Sequence, residues 1–183
     1  KAVEAIVVGE GAEQPPLVAE ESRKMKVMVA IDESDGSFYA LKWTLDNLFN
    51  MYSVGTASPE LKQELGMITV VHVQQPFQPY IYPAGPVLES VKKAQEQNAA
   101  AVLSRALQMC EEKTVKVETL TLEGDPKDMI CQAADQMHID LLVVGSRGLS
   151  KIKRAFLGSV SDYCAHHAKC PVLIVKPPKE SQK

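Results

Sequence analysis

Five short apolar runs punctuate the chain, and the segments between them carry apolar positions at helical spacing. Lys26 to Ile31 reads K-V-M-V-A-I, and its length and β-branching predict a buried strand ending at the polar cluster Asp32 to Gly36. Ser37 to Asn50 then spaces Ala40, Leu41, Leu45 and Leu48 as one helix face. Met67 to Val73 is a second continuous apolar strand. Val87 to Lys113 predicts a long amphipathic helix with Val91, Ala94, Asn98, Val102, Ala106 and Met109 on its buried stripe. Val115 to Leu122 alternates as V-K-V-E-T-L-T-L, the mark of a half-exposed strand near a sheet edge. Asp125 is placed to cap a helix that has Pro126 in its first position and runs to about His138. Asp140 to Val144 is a buried strand breaking at Gly145, Leu157 to Ala168 is helical, and Pro171 to Lys176 is the last strand.

Strands and helices therefore alternate from end to end. Continuous apolar strands with helical connections predict a doubly wound α/β domain: a five-stranded parallel sheet with helices on both faces, Rossmann-like, joined by right-handed crossovers. The domain spans residues 25–178, between an N-terminal tail of residues 1–24 and a short C-terminal tail of residues 179–183. In such sheets ligands sit at the carboxyl ends of the strands where strand order reverses. The segments at those ends are Asp32 to Gly36, Gln74 to Pro86, Glu123-Gly124 and Gly145 to Ser161. Gln74 to Pro86 carries four prolines, which excludes helix and central strand and makes it a candidate lid. The run Pro171 to Lys176 comes last in the winding, so it forms an exposed edge that a second copy of the chain would cover.

Composition narrows the function classes. At 183 residues one compact core is feasible, and a net charge of −3 argues against a partner that is a nucleic acid backbone. No window approaches the apolar length of a membrane span. Cys110, Cys131, Cys164 and Cys170 form no C-x-x-C pair, and Ala5 to Val8 is too short for a signal core. Free thiols in a reducing compartment are the reading, with the cytoplasm as the expected location and the nucleus left open.

Chemistry concentrates in Gly145 to Ser161, which reads G-S-R-G-L-S-K-I-K-R-A-F-L-G-S-V-S. Glycines let backbone N–H groups approach an anion closely, and the first turn of a helix offers unpaired donors with partial positive charge. Ser159 adds a hydroxyl, and Arg147, Lys151, Lys153 and Arg154 are candidates to neutralise phosphate charge. The segment is not a P-loop, because no Gly-Lys-Ser/Thr occurs at the required spacing, and it lacks G-x-G-x-x-G.

Gly145-x2-Gly148-x9-Gly158-Ser159 resembles the nucleotide-binding signature of the universal stress protein family, in its ATP-binding branch. Val29 to Ser34, Val71 to Val73, Glu123 to Pro126 and Cys170 to Lys176 are similar to the family's strands and strand-end loops, so the resemblance covers about residues 25 to 178. The long middle connections and the hydrophilic tail look like plant members. The resemblance implies an adenine nucleotide alpha hydrolase-like fold that binds ATP or AMP in a stress response, and a homodimer through the last strand. Position by position, it sets Asp32 on the ribose or adenine side and Val73 against adenine through its backbone. Gly145 falls by the ribose, Gly148, Gly158 and Ser159 by the phosphates, and Val160 and Ser161 continue that contact. Ala30, Val144 and Arg147 complete the candidate set, with Ala30 standing where some members carry proline. A divalent cation, Mg2+ or Mn2+, is a candidate to accompany the nucleotide.

Other constellations carry less. Asp32 could cap the following helix, as could Ser34 or Ser37, and His72 reads as a packed strand histidine rather than a base. Glu33 and Asp35 read as a solvated acidic loop ahead of a metal site. Cys164-x-His166-His167-x2-Cys170 lacks the four convergent ligands of structural zinc, because His166 points away from the face shared by residues 164, 167 and 168. Two readings stand beside the nucleotide-dependent switch: a weak ATPase, and a chaperone-like interaction module that ignores nucleotide. Gly145 to Ser161 shows neither a general base nor a dedicated metal carboxylate, which favours binding over catalysis.

Overall fold

The structure is a computed structural model that describes residues 24–49, 67–76, 86–148 and 157–178. The two tails, the connection after residue 49, most of the Pro-rich segment, and Lys151, Lys153 and Arg154 lie outside the described residues. The elements run β1 (Lys26–Ile31), α1 (Asp35–Thr44), β2 (Met67–Gln74), α2 (Pro86–Glu112), β3 (Val117–Glu123), α3 (Pro126–Gln136), β4 (Leu141–Gly145), α4 (Ser159–His167) and β5 (Val172–Val175). All five strands pair in parallel, in the order β3-β2-β1-β4-β5, so the winding reverses between β1 and β4.

The period of the strands divides the core into two layers. Val27, Val29 and Ile31 of β1 face α1 and α2, packing with Phe38, Leu41, Val102 and Ala106. Met28 and Ala30 point the other way, into a layer built with Ile130, Ala133 and Ala134 of α3 and Cys164 of α4. Such two-sided burial is why β1 reads as an unbroken apolar run. Among the described strands β3 has one neighbour, and it keeps its outer positions exposed, in line with its alternating sequence.

β3 begins at Val117 rather than Val115 and α4 at Ser159 rather than Leu157. Three further features differ from the sequence expectation, each for a local reason. α1 starts two residues earlier than Ser37, because Ser34 is the N-cap and its hydroxyl accepts from the Ser37 N–H. It then widens into a π-helical turn over Leu45–Phe49. α3 stops at Gln136 rather than His138. His138 adopts φ 52°, and the His138 and Ile139 N–H groups donate to Asp135 and Ala134, the reversed bonding that closes a helix. α2 ends the same way, with Thr114 at φ 57°.

The third difference is the buried stripe of α2. Its 27 residues make a helix about 40 Å long, beside strands of 4 to 8 residues that span at most about 27 Å. The first turns therefore run past the strand ends. Burial begins at Ala99 and continues through Val102, Ala106 and Cys110, while Ala94 and Asn98 are exposed. Asn98 is thereby free of the core and available at the carboxyl edge of the sheet.

Candidate functional site

The loop after β1 is organised by three short polar side chains. Ser37 is 4% exposed, and its hydroxyl lies 2.9 Å from the carbonyls of Asp32 and Ser34 and 3.1 Å from the Asp32 N–H. The Asp32 carboxylate accepts through Oδ1 from the Ser34 N–H at 3.0 Å and from the Ser34 hydroxyl. That leaves Oδ2 directed at Gly148, where a β-carbon would stand 2.7 Å from it. Asp32 does not cap α1; Ser34 does.

Across the sheet reversal, the β4 end meets the start of α1 with no room to spare. A β-carbon on Gly145 would lie 3.0 Å from the Gly36 carbonyl, and one on Gly36 would lie 2.8 Å from the Arg147 oxygen. Buried Ser146 gathers the two ends of the following loop, since its carbonyl accepts from the Gly158 N–H at 2.8 Å and from the Ser161 hydroxyl at 3.3 Å. Gly158 is the N-cap of α4 and brings no side-chain cap. The first-turn N–H groups of Ser159, Val160 and Ser161 are thus left with no acceptor within the helix, at its positive end.

A cleft of about 490 Å³ opens between these loops, within the range of small-molecule sites. Eleven candidate residues named from the sequence line it, while Lys151, Lys153 and Arg154 fall outside the described residues: Ala30 and Asp32 from β1 and its loop, Val73 from β2, Val144, Gly145, Arg147 and Gly148 from β4 and beyond, and Gly158, Ser159, Val160 and Ser161 from α4 and its N-cap. Sequence reasoning missed Gln95, Asn98 and Ile130, which also line the cleft. Asn98 donates to Glu33, Gln74 donates to the Gln95 carbonyl at 3.3 Å, and Gln95 donates to the Gln75 carbonyl at 3.4 Å. These bonds fasten the overhanging turns of α2 to the strand ends. The only signal for them was the length of the helix relative to the strands.

His72 also borders the cleft. It is 4% exposed, and Nδ1 lies 3.0 Å from the Ile31 carbonyl on the neighbouring strand. The residues of the Cys-His-His-Cys run separate: Cys164 is buried, whereas His166 and His167 are exposed with Nδ1 against carbonyls of their own helix. Among the described residues no group of three or more His, Cys, Asp or Glu converges to hold a metal, and no helix is long and apolar enough to cross a membrane.

Fold and cleft define a doubly wound α/β protein with a ligand site at the strand ends, where the winding reverses. The model of the universal stress protein family matches residues 25–176. A universal stress protein A-like protein of Arabidopsis thaliana is 31% identical over 170 residues, covering 85% of this chain and 91% of its own. A universal stress protein of Methanocaldococcus jannaschii is also 31% identical, over 156 residues, covering 85% and 84%. Among solved structures, a family protein from Arabidopsis thaliana with AMP bound superposes with a TM-score of 0.62 at 27% identity, covering 87% of this chain and 95% of that one. Another, a universal stress protein in complex with cAMP, gives 0.55 at 25% identity, covering 82% and 95%. This chain belongs to the universal stress protein family.

Proposed function

We propose that this chain binds an adenine nucleotide, ATP or AMP, in the cleft between β1 and β4, and acts in a stress response as a nucleotide-dependent switch with hydrolysis slow or absent. The observation that carries the reading is the first turn of α4, which starts at Gly158 without a side-chain cap and borders, with Gly148, a cleft also lined by Ala30, Ile31, Val73, Ile130 and Val144. Phosphates would take the N–H groups of Ser159 to Ser161, the Ser159 hydroxyl and the Arg147 cation. The ribose would lie by Gly145 and the free oxygen of Asp32, and the base against Ala30, Val73, Ile130 and Val144, with the Val73 backbone as its hydrogen-bonding partner. Relatives with AMP and with cAMP support the same chemistry.

Slow hydrolysis fits the state of the candidate bases. Among the described residues, Asp32, Glu33 and His72 are those on the cleft: Asp32 holds Ser34 through Oδ1 and keeps only Oδ2, assigned to the ribose, Glu33 accepts from Asn98, and His72 Nδ1 meets the Ile31 carbonyl. A Mg2+ or Mn2+ ion accompanying ATP would take phosphate oxygens and water as its main ligands, with Asp32 and Glu33 the nearest carboxylates on the cleft. Four free thiols suit the cytoplasm.

We infer further that β5 pairs with its twofold mate. Among the described residues it bonds only to β4 within the sheet, and Val172, Leu173 and Ile174 are half-buried. Light scattering should give a dimer at micromolar concentration and a monomer for Val172→Asp; a monomeric parent protein would refute the pairing.

The test of nucleotide binding is mass spectrometry of small molecules released from the purified protein, with calorimetric titration of ATP and AMP. The parent protein should bind and Gly158→Asp should not, because a carboxylate at the N-cap would occupy the phosphate position. No co-purifying nucleotide and no heat at millimolar ligand would refute the reading.

A further inference from the structure

The layer beneath the cleft contains a pair of thiols that nucleotide binding does not use. Cys131 of α3 and Cys164 of α4 bring their sulfurs to 3.7 Å. Cys164 is fully buried and Cys131 is half-buried, so Cys131 is the more accessible residue of the two. The helices that carry them are joined by Lys127 over the Tyr163 ring, and the segment just after α4 is tied to α3 by the Lys169–Asp135 ion pair at 2.7 Å. Cys170, the third thiol of this layer, is hydrogen-bonded at the backbone of Leu142 and of its own residue and is close enough to interact electrostatically with both other thiols, but the sulfur–sulfur contact is between Cys131 and Cys164. Both helices reach the cleft within one turn of the pair: Ile130 precedes Cys131, and Ser161 stands three residues before Cys164.

We propose that Cys131 and Cys164 form a peroxide-oxidisable dithiol whose disulfide ties α3 to α4 beneath the cleft. The Cys131 sulfur, as thiolate, attacks one oxygen of hydrogen peroxide; the O–O bond breaks and hydroxide leaves, taking up the proton that Cys131 released to form water. The Cys131 sulfenic acid then meets the Cys164 sulfur. The S–S bond forms, the S–O bond breaks, and the oxygen leaves as a second water with the Cys164 proton. Two thiols are oxidised by two electrons and one peroxide is reduced to two waters. Burial pushes both thiols above their ordinary range, so the reaction is slow and calls for hours rather than seconds of exposure. Closing the sulfurs from 3.7 Å to a bond of roughly 2 Å moves one helix, its side chain, or both toward the other.

Trypsin puts all four cysteines on different peptides, spanning residues 106–113, 128–147, 155–169 and 170 onward, so one digest settles the pairing. The full-length protein, reduced and then incubated with hydrogen peroxide, should yield the 128–147 peptide joined to the 155–169 peptide under non-reducing conditions. The link should vanish in Cys131→Ser and in Cys164→Ala and persist in Cys170→Ser. The oxidised protein should melt roughly 5–10 °C higher, reversibly on addition of dithiothreitol, since the cross-link within each chain closes a loop of about 33 residues in the unfolded chain. Persistence of both free thiols, or a link through Cys170 or between chains, would overturn the proposal. Its consequence for the cleft rests on the nucleotide reading: AMP should bind several-fold more weakly to the oxidised form. Equal affinity would overturn that coupling. Failure of the reduced protein to bind AMP at all would instead overturn the nucleotide reading, while the peptide map would still decide the disulfide.

Discussion

Gly36→Ala is the sharpest test of how the cleft is built, because two effects of opposite sign meet at one residue. Gly36 lies in the first turn of α1, and replacing glycine by alanine in a helix favours folding by up to about 1 kcal/mol. Against this, the new methyl would stand 2.8 Å from the Arg147 carbonyl oxygen, roughly 0.5 Å or more inside ordinary contact. Neither partner can move away cheaply. The oxygen belongs to the backbone of the loop after β4, the β4 end presses on Gly36 from Gly145, and the Ser37 bonds to Asp32 and Ser34 hold the helix start in place. Overpacking of this kind costs about 1–3 kcal/mol. The steric term wins, leaving a net loss of about 1–2 kcal/mol, or a fall in Tm of about 2–8 °C for a chain of this size. Urea unfolding would measure the loss, with exposed Ser104→Ala in α2 as the control that should be neutral or mildly stabilising. AMP affinity should fall as well, since the displaced segment carries Arg147 and Gly148. A Gly36→Ala protein as stable as the parent, with unchanged AMP affinity, would refute the claim that α1 and the β4 end are in close contact.

Three further outcomes are expected. Gly148→Ala meets only the end of the Asp32 side chain, so urea unfolding should show a change below about 1 kcal/mol while calorimetry shows nucleotide binding lost; a large stability loss would mean the crowding is backbone after all. Thr114→Gly should stabilise by about 0.5–1 kcal/mol, because relief of the left-handed conformation at φ 57° exceeds the added entropy of the unfolded chain; no gain in urea midpoint would contradict the helix closure described. Asp46 is held below its ordinary 3.8 by hydrogen bonds from Lys113 and Lys42, so its contribution is present above pH 4 and lost as pH falls through the depressed value. Lys113→Ala should therefore cost under about 1 kcal/mol at pH 7, less in high salt, and the Asp46-dependent part of that cost, isolated in an Asp46→Asn background, should vanish once pH falls below the depressed value.

The sequence by itself determined the order of elements, the parallel sheet and the segments at its carboxyl edge. Strands buried on both faces must be apolar throughout, so K-V-M-V-A-I and M-I-T-V-V-H-V announce themselves, and Asp125-Pro126 announces a helix start. The glycine pattern from Gly145 to Gly158 was equally legible, because close backbone approach leaves no other residue type the same freedom. Tertiary structure decided what depends on distances between elements remote in sequence. The stripe of α2 shifted because a helix of about 40 Å outruns the sheet, a comparison of lengths that no local period contains. That overhang carries Gln95 and Asn98 to the strand ends and sets Asn98 against Glu33 across 65 residues. Likewise the 3.7 Å approach of Cys131 to Cys164 exists only because α3 and α4 pack side by side on one face of the sheet. Periodicity reports which way a side chain points; only packing reports what it meets.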